Sequence, residues 1–77
     1  MYKLLDTVVL TRDIPEAGLR SGDLGAIVEL LAPDAMEVEF VAASGRTQAL
    51  LTLHPEDVRD VGDRDVIAVR TLQGAEG

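Results

Sequence analysis

The apolar residues of this 77-residue chain come in short blocks, separated by turn-forming residues at intervals of about ten. This spacing is typical of an all-β domain, because strands are short and helices need longer periodic stretches. The blocks span residues 4–11, 24–31, 36–42, 46–53, 59–61 and 66–72. A chain of this length forms one small domain.

The residues between the blocks predict where the strands end. Pro15 cannot donate a hydrogen bond to a neighbouring strand, so the first strand must end before it. Residues 16–23 contain two glycines and are predicted to be a loop, which Ile14 and Leu19 would hold against the domain. Residues 43–46 contain the glycine expected of a tight hairpin.

The third and fourth blocks show which side chains share a face. In the third block the predicted core face consists of Met36, Val38, Phe40 and Ala42. In the fourth block the shared face consists of Thr47, Ala49, Leu51 and Leu53. Leu50 then falls among the polar residues of the other face. The second block is almost entirely apolar, so its phase is ambiguous.

A single helical turn is predicted between the fourth and fifth strands, at residues 54–58. Pro55 suits the first helical position, and Glu56 and Asp57 complement the positive end of the helix dipole. A short fifth strand follows at residues 59–61. Residues 66–72 form either a sixth strand or an extension, and residues 73–77 are expected to be frayed.

These elements predict an all-β fold, a small SH3-like barrel of about five strands with a one-turn 3₁₀ helix before the last strand. The barrel would span residues 1–61, and residues 62–77 would be a C-terminal strand or extension with a frayed end. A fragment of an antiparallel β-sandwich and a dimeric open sheet are the alternatives.

Composition excludes several classes of protein and site. The chain has no cysteine, so it cannot contain disulfides, thiolate metal sites or a cysteine nucleophile. No apolar run approaches the ~20 residues that span a bilayer, and the N-terminus lacks the apolar region of a signal peptide. We therefore expect a cytoplasmic protein that has no contact with membranes.

The residues that could carry chemistry are few. His54 is the only histidine, and Ser21 and Ser44 both lie in predicted glycine turns, so no catalytic arrangement is indicated. Gly18, Gly22 and Gly25 lack the spacing of a phosphate-binding loop and are better explained by turns and close packing. The sequence predicts no enzyme activity, no catalytic residue, no cofactor and no metal site.

The stretch from Leu4 to Glu29, followed by residues 37–41 and 46–53, resembles a family of small bacterial proteins, the domain-of-unknown-function family 4926. The resemblance covers about residues 3–61 and is most specific from Asp6 to Glu29. Residues 19–29 are also similar to KOW-type segments, in which Gly22, Asp23 and Gly25 match and Ile27 replaces the usual valine. The resemblance implies a barrel and a bacterial source, and suggests an antitoxin or immunity role, but it supplies no catalytic residues.

Charge argues against the nucleic-acid partner that the KOW likeness suggests. The chain carries 7 basic and 14 acidic residues, a net charge of −7, whereas affinity for phosphates depends on lysine and arginine. Tyr2 and Phe40 are its only aromatic residues, too few to stack on bases or to line a groove for proline-rich peptides. Nucleic acid is therefore disfavoured.

An acidic, protein-binding surface is the remaining prediction. The candidate partner-binding residues lie in the long loop and around the helical turn: Asp13, Glu16, Asp23, Glu56, Asp57 and Asp60. Such a surface would suit a basic protein and would speed association with it. The alternative is that these acids only keep a small protein soluble.

A surplus of apolar residues provides a second indication of a partner. Val9, Ile27, Leu31 and Leu50 are expected opposite the core face, and Ile67 and Val69 add to them. They would form either a second small core under the loop and tail, or a patch that needs a partner or a second copy.

These observations predict a non-enzymatic protein-interaction module, in its most concrete form an antitoxin, immunity or regulatory subunit that masks a basic partner. A KOW-like component of a nucleoprotein complex and an accessory subunit of an enzyme are the alternatives. A symmetric homodimer to which the tail contributes is also predicted.

Overall fold

The computed structural model describes residues 2–72, which form five antiparallel strands in one sheet. The strands are β1 (Thr7–Leu10), β2 (Leu24–Leu31), β3 (Ala35–Val41), β4 (Thr47–Leu53) and β5 (Val58–Asp60). Two 3₁₀ turns, Pro15–Ala17 and Pro55–Asp57, precede β2 and β5. The prediction of an all-β fold with five strands and a one-turn helix before the last strand is confirmed.

The strands are ordered β4-β3-β2-β1-β5 across the sheet, so β2, β3 and β4 form a meander and β5 returns to pair with β1. Within residues 2–72, β4 and β5 each have one hydrogen-bonded neighbour and are the two edges of the sheet. No hydrogen-bonded pairing joins these two edges in that range, and SH3-like closure stays a prediction.

The core lies on one face of this sheet, under the loop that follows β1. It includes Met36, Val38 and Phe40, as the alternation in the third block predicts, but not Ala42, which follows the end of β3. Ile27 was expected on the opposite face, and this is wrong: its side chain is fully buried in the core. Its partner across the ladder is Val38, and the continuous apolar run of β2 gave no phase that could reveal this.

The loop between β1 and β2 is ordered, as predicted. Ile14 and Leu19 are both buried, and they form an isolated bridge that pins the loop to the core. Gly18 and Gly22 have φ angles of 73° and 99°, the left-handed conformation that glycine adopts without steric cost. The 3₁₀ turn inside the loop was not predicted from the sequence.

Three of the predictions for the strands need correction. The first strand begins at Thr7 and not at Leu4, because Leu5 lies in a turn with a φ of 71°. The fifth strand covers residues 58–60, one residue earlier than expected. Thr47 lies on the exposed face and not the core face, because the β3–β4 pairing is irregular between Phe40 and Val41.

The sixth strand offered for residues 66–72 is also wrong, because this part of the chain is irregular and the extension is what forms. The frayed end predicted for residues 73–77 lies outside the described residues. In the range 2–72, no helix is both long enough and apolar enough to cross a membrane.

Candidate interaction surface

Val9 lies on the face of the sheet opposite the main core. Its ladder partners are Leu24 on β2 and Arg59 on β5. Although it is outside the core cluster, its side chain is only 5% exposed. It lines a cleft between the sheet and residues 61–72, which we call the C-terminal segment. This second face of the sheet is therefore partly covered.

The cleft has a volume of about 760 Å³ and is lined mainly by apolar side chains. Its sheet side includes Val9, Leu24 and Val41, and its other side includes Val61 and Ile67. This volume falls in the range of binding pockets, roughly 300–1,000 Å³. The cleft is large enough to admit side chains from another molecule.

An ion pair holds the start of the C-terminal segment. Arg59 donates from Nη1 and Nη2 to the two carboxylate oxygens of Asp65, over 2.8 and 3.0 Å. The backbone N–H of Gly62 donates to the same carboxylate over 2.6 Å. The Arg59 hydrogen bonds, with that of Gly62, lower the pKa of Asp65 to about 2. Asp65 therefore fixes the turn that directs the segment back across the sheet.

A second ion pair holds the far end of the segment. Arg70 donates from Nε and Nη2 to the two carboxylate oxygens of Asp23, over 2.9 and 2.6 Å. Nη2 of Arg70 also donates to the carbonyl of Gly18 over 2.9 Å. The Arg70 hydrogen bonds hold the pKa of Asp23 below its ordinary value. The segment is thus tied to the β1–β2 loop.

Between these two ties the apolar side chains of the segment face solvent. Val66, Ile67 and Val69 are 88%, 63% and 98% exposed. Of the surplus apolar residues, Val9 is therefore buried beside the segment, whereas Ile67 and Val69 form an exposed apolar surface together with Val66. Leu24 and Val41 are also partly exposed and extend this surface onto the sheet.

The acidic residues predicted to bind a partner differ in their availability. Asp23 is engaged by Arg70, and Asp57 accepts a 2.9 Å hydrogen bond from Nε of Arg12. The Arg12 hydrogen bond, together with one from the His54 backbone, lowers the pKa of Asp57. These two carboxylates stabilise the fold internally. Asp13, Glu16, Glu56 and Asp60 have exposed side chains.

The long loop and the second 3₁₀ turn lie side by side. Thr11 donates from its backbone N–H to the carbonyl of Asp57 over 2.8 Å, and from its hydroxyl to the carbonyl of Glu56 over 3.0 Å. Arg12 lies close enough to both Asp57 and Glu16 for both carboxylates to raise its pKa. The positive charge of Arg12 therefore offsets part of the negative charge at this end of the domain.

Glu37 and Glu39 form a second acidic group, at the partly exposed positions of β3. Glu37 accepts a hydrogen bond from the hydroxyl of Thr52, and Glu39 accepts one from the hydroxyl of Thr47 over 2.6 Å. Glu29 lies directly opposite Glu37 across the β2–β3 ladder. The alternation of Glu37 and Glu39 was visible in the sequence, but their pairing with the threonines of β4 depends on the register.

The residues considered for chemistry lie in turns. His54 is the N-cap of the second 3₁₀ turn, and its backbone N–H donates to Asp57 over 3.0 Å. The backbone N–H of Ser21 donates to Asp13, whereas the hydroxyl of Ser44 accepts from the backbone N–H of Arg46. In the part of the chain that the structure describes, no three His, Asp or Glu side chains are placed to hold a metal ion.

Comparison with known proteins identifies the family of the chain. The search of curated proteins and the search of solved structures each found no match. A family model described as a domain of unknown function, DUF4926, matches residues 4–60. The match covers all five strands and ends just before the C-terminal segment. The chain therefore belongs to the DUF4926 family.

Proposed function

We propose that this chain is a non-enzymatic, cytoplasmic protein-interaction module that binds a basic partner through the cleft between the sheet and the C-terminal segment. The observation that carries the proposal is the apolar cleft of about 760 Å³, bordered by the exposed side chains of Val66, Ile67 and Val69. Contiguous exposed apolar surface on a small protein marks sites of interaction.

Burial of apolar side chains would supply most of the affinity. Leu24 and Val41 on the sheet, with Ile67 on the C-terminal segment, would act as apolar anchors for the partner. The net charge of −7 favours a partner of opposite sign and would increase the association rate. An antitoxin, immunity or regulatory subunit that masks a basic protein is the form that fits best.

The test combines capture with reconstitution. We expect the wild-type chain to capture a basic protein from its host and to form a stoichiometric complex with that protein once purified. Leu24→Glu should abolish the complex, because it places a charge among the apolar anchors. Leu4→Glu is the matched control, since Leu4 is also an exposed leucine and does not line the cleft.

Three outcomes would contradict the proposal. Binding that survives Leu24→Glu would place the partner elsewhere on the chain. Salt-sensitive binding of single- or double-stranded DNA near physiological ionic strength would favour the KOW-like alternative. A concentration-dependent dimer that is lost on truncation after Val61 would show that the cleft takes a second copy of the chain, as the predicted homodimer requires.

A further inference from the structure

We propose that the free edge of β4 binds an extended segment of the partner as an additional strand. This segment would carry an apolar residue and, two positions away, a lysine or arginine. The inference rests on the proposed function, because it names the chemistry by which a basic partner docks. It uses a different surface from the cleft, so the two can fail separately.

The first argument is the difference between the two edges of the sheet. β5 is three residues long and carries Arg59 and Asp60, and shortness and charge are two of the devices that protect an edge strand. β4 is seven residues long and contains neither a charged residue nor a proline. Among residues 2–72, its only hydrogen-bonded neighbour in the sheet is β3. The β4 edge is therefore long and unprotected.

The second argument is the surface beside this edge. Leu50 is 55% exposed on the outer face of β4, where a side chain from an added strand would cover it. Glu37 on β3 is directed toward β4 by its hydrogen bond with Thr52, and Glu39 is directed the same way by its hydrogen bond with Thr47. Leu50 therefore lies along β4 between the two threonines that hold these carboxylates.

These positions define the chemistry of the added strand. Alternate residues of a strand share a face, so residues opposite Leu50 and Thr52 would be two positions apart. A residue opposite Leu50 should be apolar. A long basic side chain opposite Thr52 would reach across one strand, about 5 Å, to the carboxylate of Glu37. It would also offset the repulsion between Glu37 and Glu29, which face each other across the ladder.

The β1–β2 loop limits where the segment can dock. Nε2 of Gln48 donates to the carbonyl of Ala17 over 3.1 Å, which holds the β1–β2 loop against the start of β4. The open part of the edge therefore begins at Ala49 and continues to Leu53.

A second copy of this chain fits the edge less well than a basic segment. Its own β4 has Gln48 and Thr52 two positions from Leu50 on either side, and it contains no basic residue. It would also bring its own Glu37 and Glu39 toward the same surface, which adds like charges. Charge complementarity therefore favours a heterologous basic strand.

The experiment uses a short synthetic peptide in which lysine, valine and lysine alternate with threonine. We expect it to shift the backbone amide NMR signals of residues 49–53 in the full chain and to bind more weakly as salt rises. Thr52→Lys should weaken binding by about tenfold, because the new ammonium group occupies Glu37 and repels the peptide. Thr7→Lys is the matched control, with the same charge change on an exposed threonine of a strand that has two neighbours.

Two control peptides separate strand addition from charge attraction. Methylation of the peptide nitrogens that face β4 should abolish binding, and replacement of its lysines by glutamate should do the same. Equal binding of the methylated peptide, or equal loss in both lysine variants of the protein, would overturn the proposal. So would shifts confined to Val9 and Leu24, or a dimer that Thr52→Lys dissociates.

The captured partner then distinguishes this inference from the proposed function. A partner complex that is lost in Leu24→Glu but unchanged in Thr52→Lys would leave the interaction module standing and overturn strand addition at β4. A complex that is lost in Thr52→Lys but unchanged in Leu24→Glu would support strand addition at β4 and overturn binding in the cleft.

Discussion

Arg70 and Asp23 are 47 positions apart in the chain, yet the guanidinium group meets both oxygens of the carboxylate, over 2.9 and 2.6 Å. Asp23 also accepts a backbone hydrogen bond from Arg20, so one side chain both shapes the β1–β2 loop and holds the C-terminal segment. The β1–β2 loop and the C-terminal segment are therefore joined through Arg70, which also donates to the carbonyl of Gly18.

Loss of this ion pair should release the C-terminal segment without unfolding the domain. We expect Arg70→Ala to lower the free energy of unfolding by about 1 kcal/mol or less, because both side chains are partly exposed. Proteolytic cleavage within residues 66–72 should become faster. Arg64→Ala is the control, since it removes an exposed arginine from the same segment; equal cleavage of the two variants would contradict the assignment.

Phe40 is the core residue whose loss should be most damaging. It is 2% exposed, and we expect Phe40→Ala to cost about 3–4 kcal/mol, a large part of the stability of a domain this small. Urea denaturation followed by circular dichroism measures the change. Val41→Ala, at the next and exposed position, should cost far less. Similar midpoints for both variants would show that the β3 phase is wrong.

Gly25 is required because the core approaches its backbone closely. A β-carbon at this position would lie 2.6 Å from Cγ1 of Val38 and 2.8 Å from Cε2 of Phe40. Gly25→Ala should therefore destabilise the domain by about 1–3 kcal/mol through overpacking. Gly62→Ala is the control, where the nearest atom would be 3.5 Å away. A thermal melt that ranks the two variants in the reverse order would contradict this account.

The Arg59–Asp65 pair predicts how the C-terminal segment responds to acid. The pKa of Asp65 is about 2 in the folded chain, below the value of about 3.9 that an aspartate has when unfolded. A lowered pKa means that the pair contributes its full stability above about pH 4 and loses it as the pH falls through about 2. The segment should therefore remain in place at pH 4.

The amide signal of Gly62 reports this titration, since its N–H donates to the Asp65 carboxylate. We expect its chemical shift to move with a midpoint near pH 2 and to lose that transition in Asp65→Asn. A midpoint near pH 4 would mean that the ion pair does not form in solution.

The sequence predicted those elements whose local pattern has one interpretation. Alternation in β3 gave the phase of Val38 and Phe40, and Pro55 with two following acids gave the second 3₁₀ turn. Ile27 was misplaced because an unbroken apolar run has no phase until its partner strand is known. Leu5 was assigned to a strand because composition does not reveal a positive φ at a leucine.

The candidate site was less accessible to sequence reasoning, because it depends on contacts between distant residues. The sequence indicates the acids at positions 13, 16, 23, 56, 57 and 60 only because they cluster along the chain. Which of them are free is decided by Arg12 and Arg70, whose partners are 45 and 47 residues away. The cleft likewise requires residues 61–72 to cross the sheet, which no local pattern encodes.

Val9 is part of the stretch that defines the family, but the residues that shield it come after that stretch. A relative with the same five strands and a different continuation would leave this valine uncovered, or would cover it with another sequence. The chemistry of this second face is therefore set by whatever follows position 60. One scaffold can thus acquire new binding preferences by changes in about a dozen downstream residues, while its core stays untouched.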